Sequence, residues 1–274
     1  MKRVWLVGPI SWDTVIEIDT FPINGGFAQG RNRKERAGGS AANTAIALAS
    51  TDVESHLITF VGNDEIGKKL LANLANNSEL TSHVETIPGP SLHALITLDK
   101  SGERTVFALE ENRLSKIDFQ FKFDINDIVC FPVWRNFYLP WLDQVKQQGA
   151  FTVVGLSALS DELVSADLAI GSQSDLSGAE LHLNRIPKVI ITKGEEGSLL
   201  IDNHTEISVT AFPVDAKDLT GAGDAYLAGV LFALASNKGL EEGMKMGSRW
   251  AAACVELDSS IPPSWSDVCR RFGL

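Results

Sequence analysis

Short apolar runs alternate with helical patterns along most of this chain, and that alternation constrains its fold more than any other feature. Residues 2–8 are β-branched and aromatic, stop at Gly8-Pro9, and read as a buried first strand. Gly38-Gly39 opens a small-residue helix to about residue 50, followed by a strand over 55–62 and a helix over 65–77. Later come strands over 127–133, 150–156, 167–171 and 187–192, and helices over 138–148, 175–183, 224–235 and 240–256. Strands separated by helices must be joined by crossovers, so the expected fold class is α/β, with a mostly parallel central sheet flanked by helices. Two regions break the rhythm. Residues 14–36 mix short alternations with Pro22, Asn24, Gly25 and Gly26, and residues 91–110 read as a hairpin turning at 100–103. A further hairpin is expected over 198–202 and 206–211. The first two regions can pair into a small antiparallel sheet over one end of a single domain spanning 1–274. Ligands in open α/β sheets sit outside the carboxyl ends of the strands.

Composition narrows the function classes. The 274 residues carry 24 Lys plus Arg against 35 Asp plus Glu, a net charge of -11. Nucleic acid and anionic membranes both call for a basic footprint, so neither is an expected partner. A small anionic ligand stays compatible, because a few backbone N–H groups can hold a phosphate locally. The three cysteines, Cys130, Cys254 and Cys269, have no C-x-x-C spacing, which fits a reducing cytosol. The N-terminal apolar run is too short for a signal peptide. The longest apolar stretch, 225–235, has 11 residues against the ~20 needed to cross a bilayer. A soluble cytoplasmic protein is the expectation.

The strongest local signal is Asp218-Leu219-Thr220-Gly221-Ala222-Gly223-Asp224, directly before an apolar helix. Three small residues allow close backbone approach, and the N–H groups of Gly221, Ala222 and Gly223 face outward at the positive end of a helix dipole. Such a cradle suits a phosphate or the charge of a phosphoryl transfer. Asp224 in the first turn is a candidate proton acceptor, and the dipole there favours its ionised form. The competing reading is a glycine turn with Asp218 or Asp224 as an N-cap. Gly38-Gly39-Ser40-Ala41-Ala42-Asn43 repeats the theme, with Asn43 placed to meet ligand hydroxyls. Its alternative is tight helix–strand packing. The five histidines show no metal spacing. Phe131, Trp134 and Trp250 read as core, and Arg104 as a solvated turn residue.

Taken together, these segments resemble the ribokinase-like (PfkB) carbohydrate kinase family. The resemblance runs from Gly8–Asp13 through the Gly38–Asn43 motif and Val61-Gly62-Asn63-Asp64-Glu65-Ile66-Gly67. It continues through Gly102-Glu103-Arg104-Thr105 and Thr192-Lys193-Gly194-Glu195-Glu196-Gly197 to Asp218–Asp224 and the closing helices. It implies a ribokinase-like fold in which the two hairpin regions are a lid over the sugar. It also implies an ATP-dependent phosphotransferase acting on a hydroxyl of a sugar or sugar-like molecule. A nucleoside kinase and a sugar–amine conjugate kinase share these motifs. A catalytically silent sugar- or nucleotide-binding protein could stand on the same fold.

By the same resemblance, Asp224 matches the catalytic base and Gly221, Ala222 and Gly223 the anion hole. Asp13, Gly38, Gly39 and Asn43 match substrate contacts, and Thr192, Gly194 and Gly197 the nucleotide-binding turn. ATP and Mg2+ are the implied cofactors, with K+ in potassium-activated members, where Asp218 and Thr220 match cation-binding positions. A homodimer through the lid is the implied assembly. Two stretches depart from the pattern. Ser172-Gln173-Ser174-Asp175 replaces the usual Asn-x-x-Glu, leaving Asp175 to meet magnesium through water. Asp258-Ser259-Ser260-Ile261 lacks the usual late Gly-Ala.

Overall fold

A computed structural model describes residues 2–100, 104–176, 185–203, 205–257 and 259–274. Strand β1 (Arg3–Val7) opens the fold, followed by β2 (Ser11–Glu17), β3 (Arg31–Gly38) and helix α1 (Ser40–Ala49). Then come β4 (Glu54–Gly62), α2 (Glu65–Ala75), β5 (Leu80–Ile87), β6 (His93–Leu98) and β7 (Arg104–Ala108). The second half holds β8 (Ile128–Phe131), α3 (Leu139–Gln147), β9 (Phe151–Gly155), β10 (Leu168–Ser172) and β11 (Lys188–Thr192). It closes with β12 (Ser198–Asp202), β13 (Thr205–Val209), α4 (Ala222–Ala235), α5 (Leu240–Val255) and α6 (Trp265–Phe272).

Nine strands form one sheet in the order β13-β12-β11-β10-β9-β8-β1-β4-β5. All neighbours from β11 to β5 run parallel, and β12 and β13 add an antiparallel edge. Strand periodicity splits the core in two. Val4 and Leu6 of β1 join Leu57, Cys130 and Ile170 under α1, α4 and α5. Trp5 and Val7 join Phe60, Phe131 and Val154 on the other face, with Tyr138 and Leu142. Phe131, Trp134 and Trp250 are core residues, as expected.

The two early regions pair into a second sheet, ordered β3-β2-β6-β7. Its outer pairs are antiparallel, whereas β2 and β6, which join the two hairpins, run parallel. Three further differences from expectation stand out. β5 escapes the reading because Thr81, Ser82 and His83 interrupt its apolar pattern, as an edge position permits. α6 escapes it because its eight residues bury only Val268. The helix expected over 175–183 begins instead as a 3-10 turn, Gln173–Leu176, and its remainder lies outside the described residues, as does the 101–103 turn. Among the described residues no helix is long and apolar enough to cross a membrane; the apolar stretch over 225–235 is the buried α4.

α4 and α5 pack backbone to backbone. A Cβ on Gly229 would lie 2.4 Å from the Gly247 nitrogen, and one on Gly247 2.6 Å from the Tyr226 carbonyl oxygen. Gly229→Ala must therefore push α5 off α4, an overpacking that costs about 1–3 kcal/mol. Thermal unfolding should show a fall of roughly 2–4 °C per kcal/mol. An unchanged melting temperature would mean the two helices are not held this close.

Candidate active site

Two helices point their N-termini at one carboxylate. α1 begins after Gly39 and α4 after Gly221, both with positive φ (103° and 84°). Both positions need glycine on packing grounds as well. A Cβ on Gly39 would lie 2.5 Å from the Pro9 carbonyl oxygen, and one on Gly221 2.2 Å from that of Ser260. The first turn of α1 faces the first turn of α4. Ser40 Oγ donates to Asp224 Oδ1 at 2.5 Å, Asn43 Nδ2 to Oδ2 at 2.8 Å, and Thr44 Oγ1 to the Asp224 backbone carbonyl at 3.3 Å. Asp224 therefore does not cap its helix: α4 has no side-chain cap. Asn43, expected on ligand hydroxyls, reaches Asp224 in this structure.

The anion cradle is partly open. The Ala222 N–H bends back to the Leu219 carbonyl at 3.3 Å, and nothing lies within 4 Å of a Cβ placed on Gly223. Asp224 is ringed by protein on most sides, and that burial, with the Asp13 charge nearby, lifts its pKa above the ordinary aspartate value. The Ser40 and Asn43 donors and the Arg104 charge pull the other way. Burial thus sets the direction, opposite to the expectation from helix position alone. Arg104, the first residue of β7, is exposed, as expected of a solvated arginine, and its charge is felt at Asp224.

Asp13 on β2 is buried beside this pair. Its Oδ1 accepts the Ser11 hydroxyl at 2.7 Å, and a Cβ on Gly38 would sit 2.0 Å from its Oδ2, so Gly38 is the space the carboxylate fills. Burial raises the Asp13 pKa against the opposing pull of Ser11, Arg36 and His93. Asp13, Gly38, Gly39, Asn43 and Asp224 thus form one cluster, drawn from β2, the end of β3, the start of α1 and α4.

Asp218 and Thr220 lie one turn upstream. Asp218 Oδ1 accepts the Thr220 N–H at 2.8 Å, and Oδ2 accepts Arg36 Nη1 at 3.2 Å. Those donors, with the Arg36 charge, outweigh burial and hold the Asp218 pKa below its ordinary value. Each carboxylate oxygen already meets a donor and the Arg36 guanidinium answers the charge, an arrangement that suits a fixed guanidinium rather than a bound monovalent cation.

The remaining expected residues form a second group at the carboxyl ends of β10 and β11. Ser172 pairs with Thr192, Thr192 Oγ1 donates to the Gly171 carbonyl at 3.1 Å, and exposed Asp175 accepts the Ser172 N–H at 2.9 Å. Gly194 and Gly197 take positive φ in the turn between β11 and β12, and a Cβ on Gly197 would lie 2.1 Å from the Val209 carbonyl oxygen. Tyr226, two residues after Asp224, donates to Ser198 Oγ at 2.6 Å and so ties α4 to this turn. Among the described residues no cluster of three or more His, Cys, Asp or Glu could hold a metal ion. Asp175 is a carboxylate exposed at this end of the sheet. Sequence reasoning missed Ser40, Arg36 and Tyr226 as site residues. Ser40 lay inside a recognised motif, whereas Arg36 and Tyr226 carried no signal separable from strand or core.

Residues 1–129 and 161–267 match the family described as pfkB family carbohydrate kinase, and the chain belongs to that family. Among curated relatives it is 27% identical to the ribokinase of Haemophilus influenzae, over 95% of each chain. It is also 27% identical to the fructoselysine 6-kinase of Shigella flexneri, over 81% of this chain and 91% of the other. Its fold matches the crystal structure of a Thermotoga maritima ribokinase with a TM-score of 0.82 at 22% identity, covering all of both chains. The class is thus that of ATP-dependent carbohydrate kinases, phosphotransferases acting on sugar-like acceptors.

Glycine substitutions separate packing from ligand access. Gly39→Ala should destabilise the protein by ~1 kcal/mol or more, through its positive φ and the Pro9 contact. Gly223→Ala, at an open position in a helical first turn, should hold or raise the melting temperature by up to ~1 kcal/mol equivalent. It should still depress phosphoryl transfer, because the new methyl intrudes on the cradle. Equal stability losses in both variants would contradict this.

Proposed function

We propose that the protein transfers the γ-phosphoryl group of ATP to a hydroxyl of a sugar-like acceptor, with Asp224 as the general base. The observation that carries this reading is the Asp224 carboxylate, raised in pKa and held by Ser40 and Asn43 beside the open N-terminus of α4. The acceptor hydroxyl oxygen forms the new bond to the γ-phosphorus as the bond to the β,γ-bridging oxygen breaks, and ADP departs. The hydroxyl proton passes to Asp224 as the attacking oxygen becomes acidic. The Gly221 and Gly223 amides, with the end of the α4 dipole, stabilise charge on the phosphoryl oxygens. Asp13 orients the acceptor through its hydroxyls, and Gly38 and Gly39 let it approach closely. Thr192, Gly194 and Gly197 form the floor for the nucleotide. Magnesium, when bound with ATP, neutralises phosphate charge, and Asp175 would hold it through water.

The small sheet acts as a lid over the acceptor. Asp13 and Arg104 both stand on it, and both are felt electrostatically at Asp224. Closure would keep water from the γ-phosphate and so limit wasteful ATP hydrolysis. The same sheet and its flanking loops expose Ile23, Phe27, Val106, Phe107 and Leu109, which supports a homodimer joined through the lid. The net charge of -11 supports a small-molecule role without nucleic acid or an anionic membrane, and the three cysteines without C-x-x-C spacing support a reducing cytoplasm.

A coupled ATPase assay over ketoses, pentoses, nucleosides and sugar–amine conjugates identifies the acceptor. Asp224→Asn should then lower kcat by ~10²–10⁴ while ATP affinity and the melting temperature hold. Near-normal turnover of this variant with the true acceptor would overturn the assignment.

A further inference from the structure

Arg36 reaches from the lid strand β3 to the turn that feeds α4, bridging 182 residues of sequence to Asp218. The pair is sheltered, with side chains 16% and 7% exposed. Arg36 Nε and Nη2 are fully buried without a hydrogen-bond partner among the described residues, as is Thr220 Oγ1. These two unpartnered nitrogens carry only N–H donors, so a metal cation beside them would be repelled by charge and by donor direction alike. The surrounding backbone braces the arrangement: the Ser260 carbonyl packs on Gly221, and Ser260 Oγ donates to the carbonyl of Ala37, next to Arg36, at 3.4 Å.

We propose that the Arg36 guanidinium takes the place of a monovalent cation at Asp218, so that the protein needs no potassium to hold the α4 N-terminus in its working form. Arg36 is a positioning residue: it acts on the cradle through Asp218 and the Thr220 N–H. Its charge also reaches Asp13, whose pKa it lowers. One fixed cation thereby serves two acidic positions of the cleft. The consequence for turnover rests on the kinase reading above; the charge arrangement at Asp218 does not.

The test therefore begins without substrate. Melting temperatures are compared in potassium chloride and tetramethylammonium chloride at equal ionic strength. The wild-type protein should melt at the same temperature in both. Arg36→Ala leaves Asp218 without its cation and opens space, so its melting temperature should fall and recover selectively in potassium. Arg36→Lys should behave as wild type. With acceptor and ATP, wild-type kcat should change less than about twofold between the two salts, while Arg36→Ala should become potassium-dependent. Should Arg36→Ala fail to fold, Arg36→Gln carries the same comparison. Selective stabilisation of the wild type by potassium would overturn the proposal, and so would a loss in the Arg36 variants that potassium leaves untouched. Absent kinase activity with an intact melting pattern would instead count against the functional reading alone.

Discussion

The meeting of two helix N-termini on the Asp224 carboxylate is the contact on which the rest of the site depends. α1 brings Ser40, Asn43 and Thr44, and α4 brings Asp224 and the amides of its first turn. Neither helix could approach without Gly39 and Gly221, whose left-handed backbones turn each chain into its helix against a neighbouring carbonyl. The close α4–α5 crossing at Gly229 and Gly247 fixes α4 from behind. The Tyr226 hydroxyl fixes it sideways to the strand that follows the Thr192–Gly197 turn. A helix clamped in this way holds its first turn with little freedom, which is what preorganised charge stabilisation requires.

The cleft concentrates acid. Burial raises the cost of ionising both Asp13 and Asp224, and the Asp13 charge adds to it at Asp224, while Asp218 stands a turn away with its charge answered by Arg36. Burial decides the first two cases and hydrogen bonding the third. A base raised above the ordinary aspartate value is a better proton acceptor, and the Ser40 and Asn43 donors favour its charged form. The cations of the cleft, Arg36 at Asp218 and Asp13, and Arg104 at Asp224, come from the small sheet rather than the main one, so the charge balance of the site depends on where that sheet lies.

Much of this was legible in the chain, for a physical reason in each case. Buried parallel strands must be apolar on both faces, so β1, β4 and β11 announced themselves, and glycines before helices marked the two N-termini. β5 and α6 did not, because an edge strand and a short peripheral helix need little apolar surface. Asp224, Gly38 and Gly39 could be picked out because backbone constraint leaves a local sequence signature. The contacts that define their chemistry could not. Ser40 meets Asp224 across 184 residues and Arg36 meets Asp218 across 182. A lone arginine on an exposed-looking strand carries no mark of the carboxylate it will face. The place of Asp224 in a helical first turn was legible too, yet the direction of its shift was not, because the burial that sets it arises only in three dimensions.

Burial raises the pKa of Asp224 as a base while the α1 donors favour its charged form. Its carboxyl carbon, followed by NMR in protein carrying labelled aspartate, reports this directly. The account predicts a titration midpoint above the ~3.9 of an unperturbed aspartate. It also predicts a further rise in Ser40→Ala, where a donor to the charged form is lost, and an acid limb of kcat/KM that moves with it. A midpoint at or below the ordinary value, unmoved by Ser40→Ala, would contradict it.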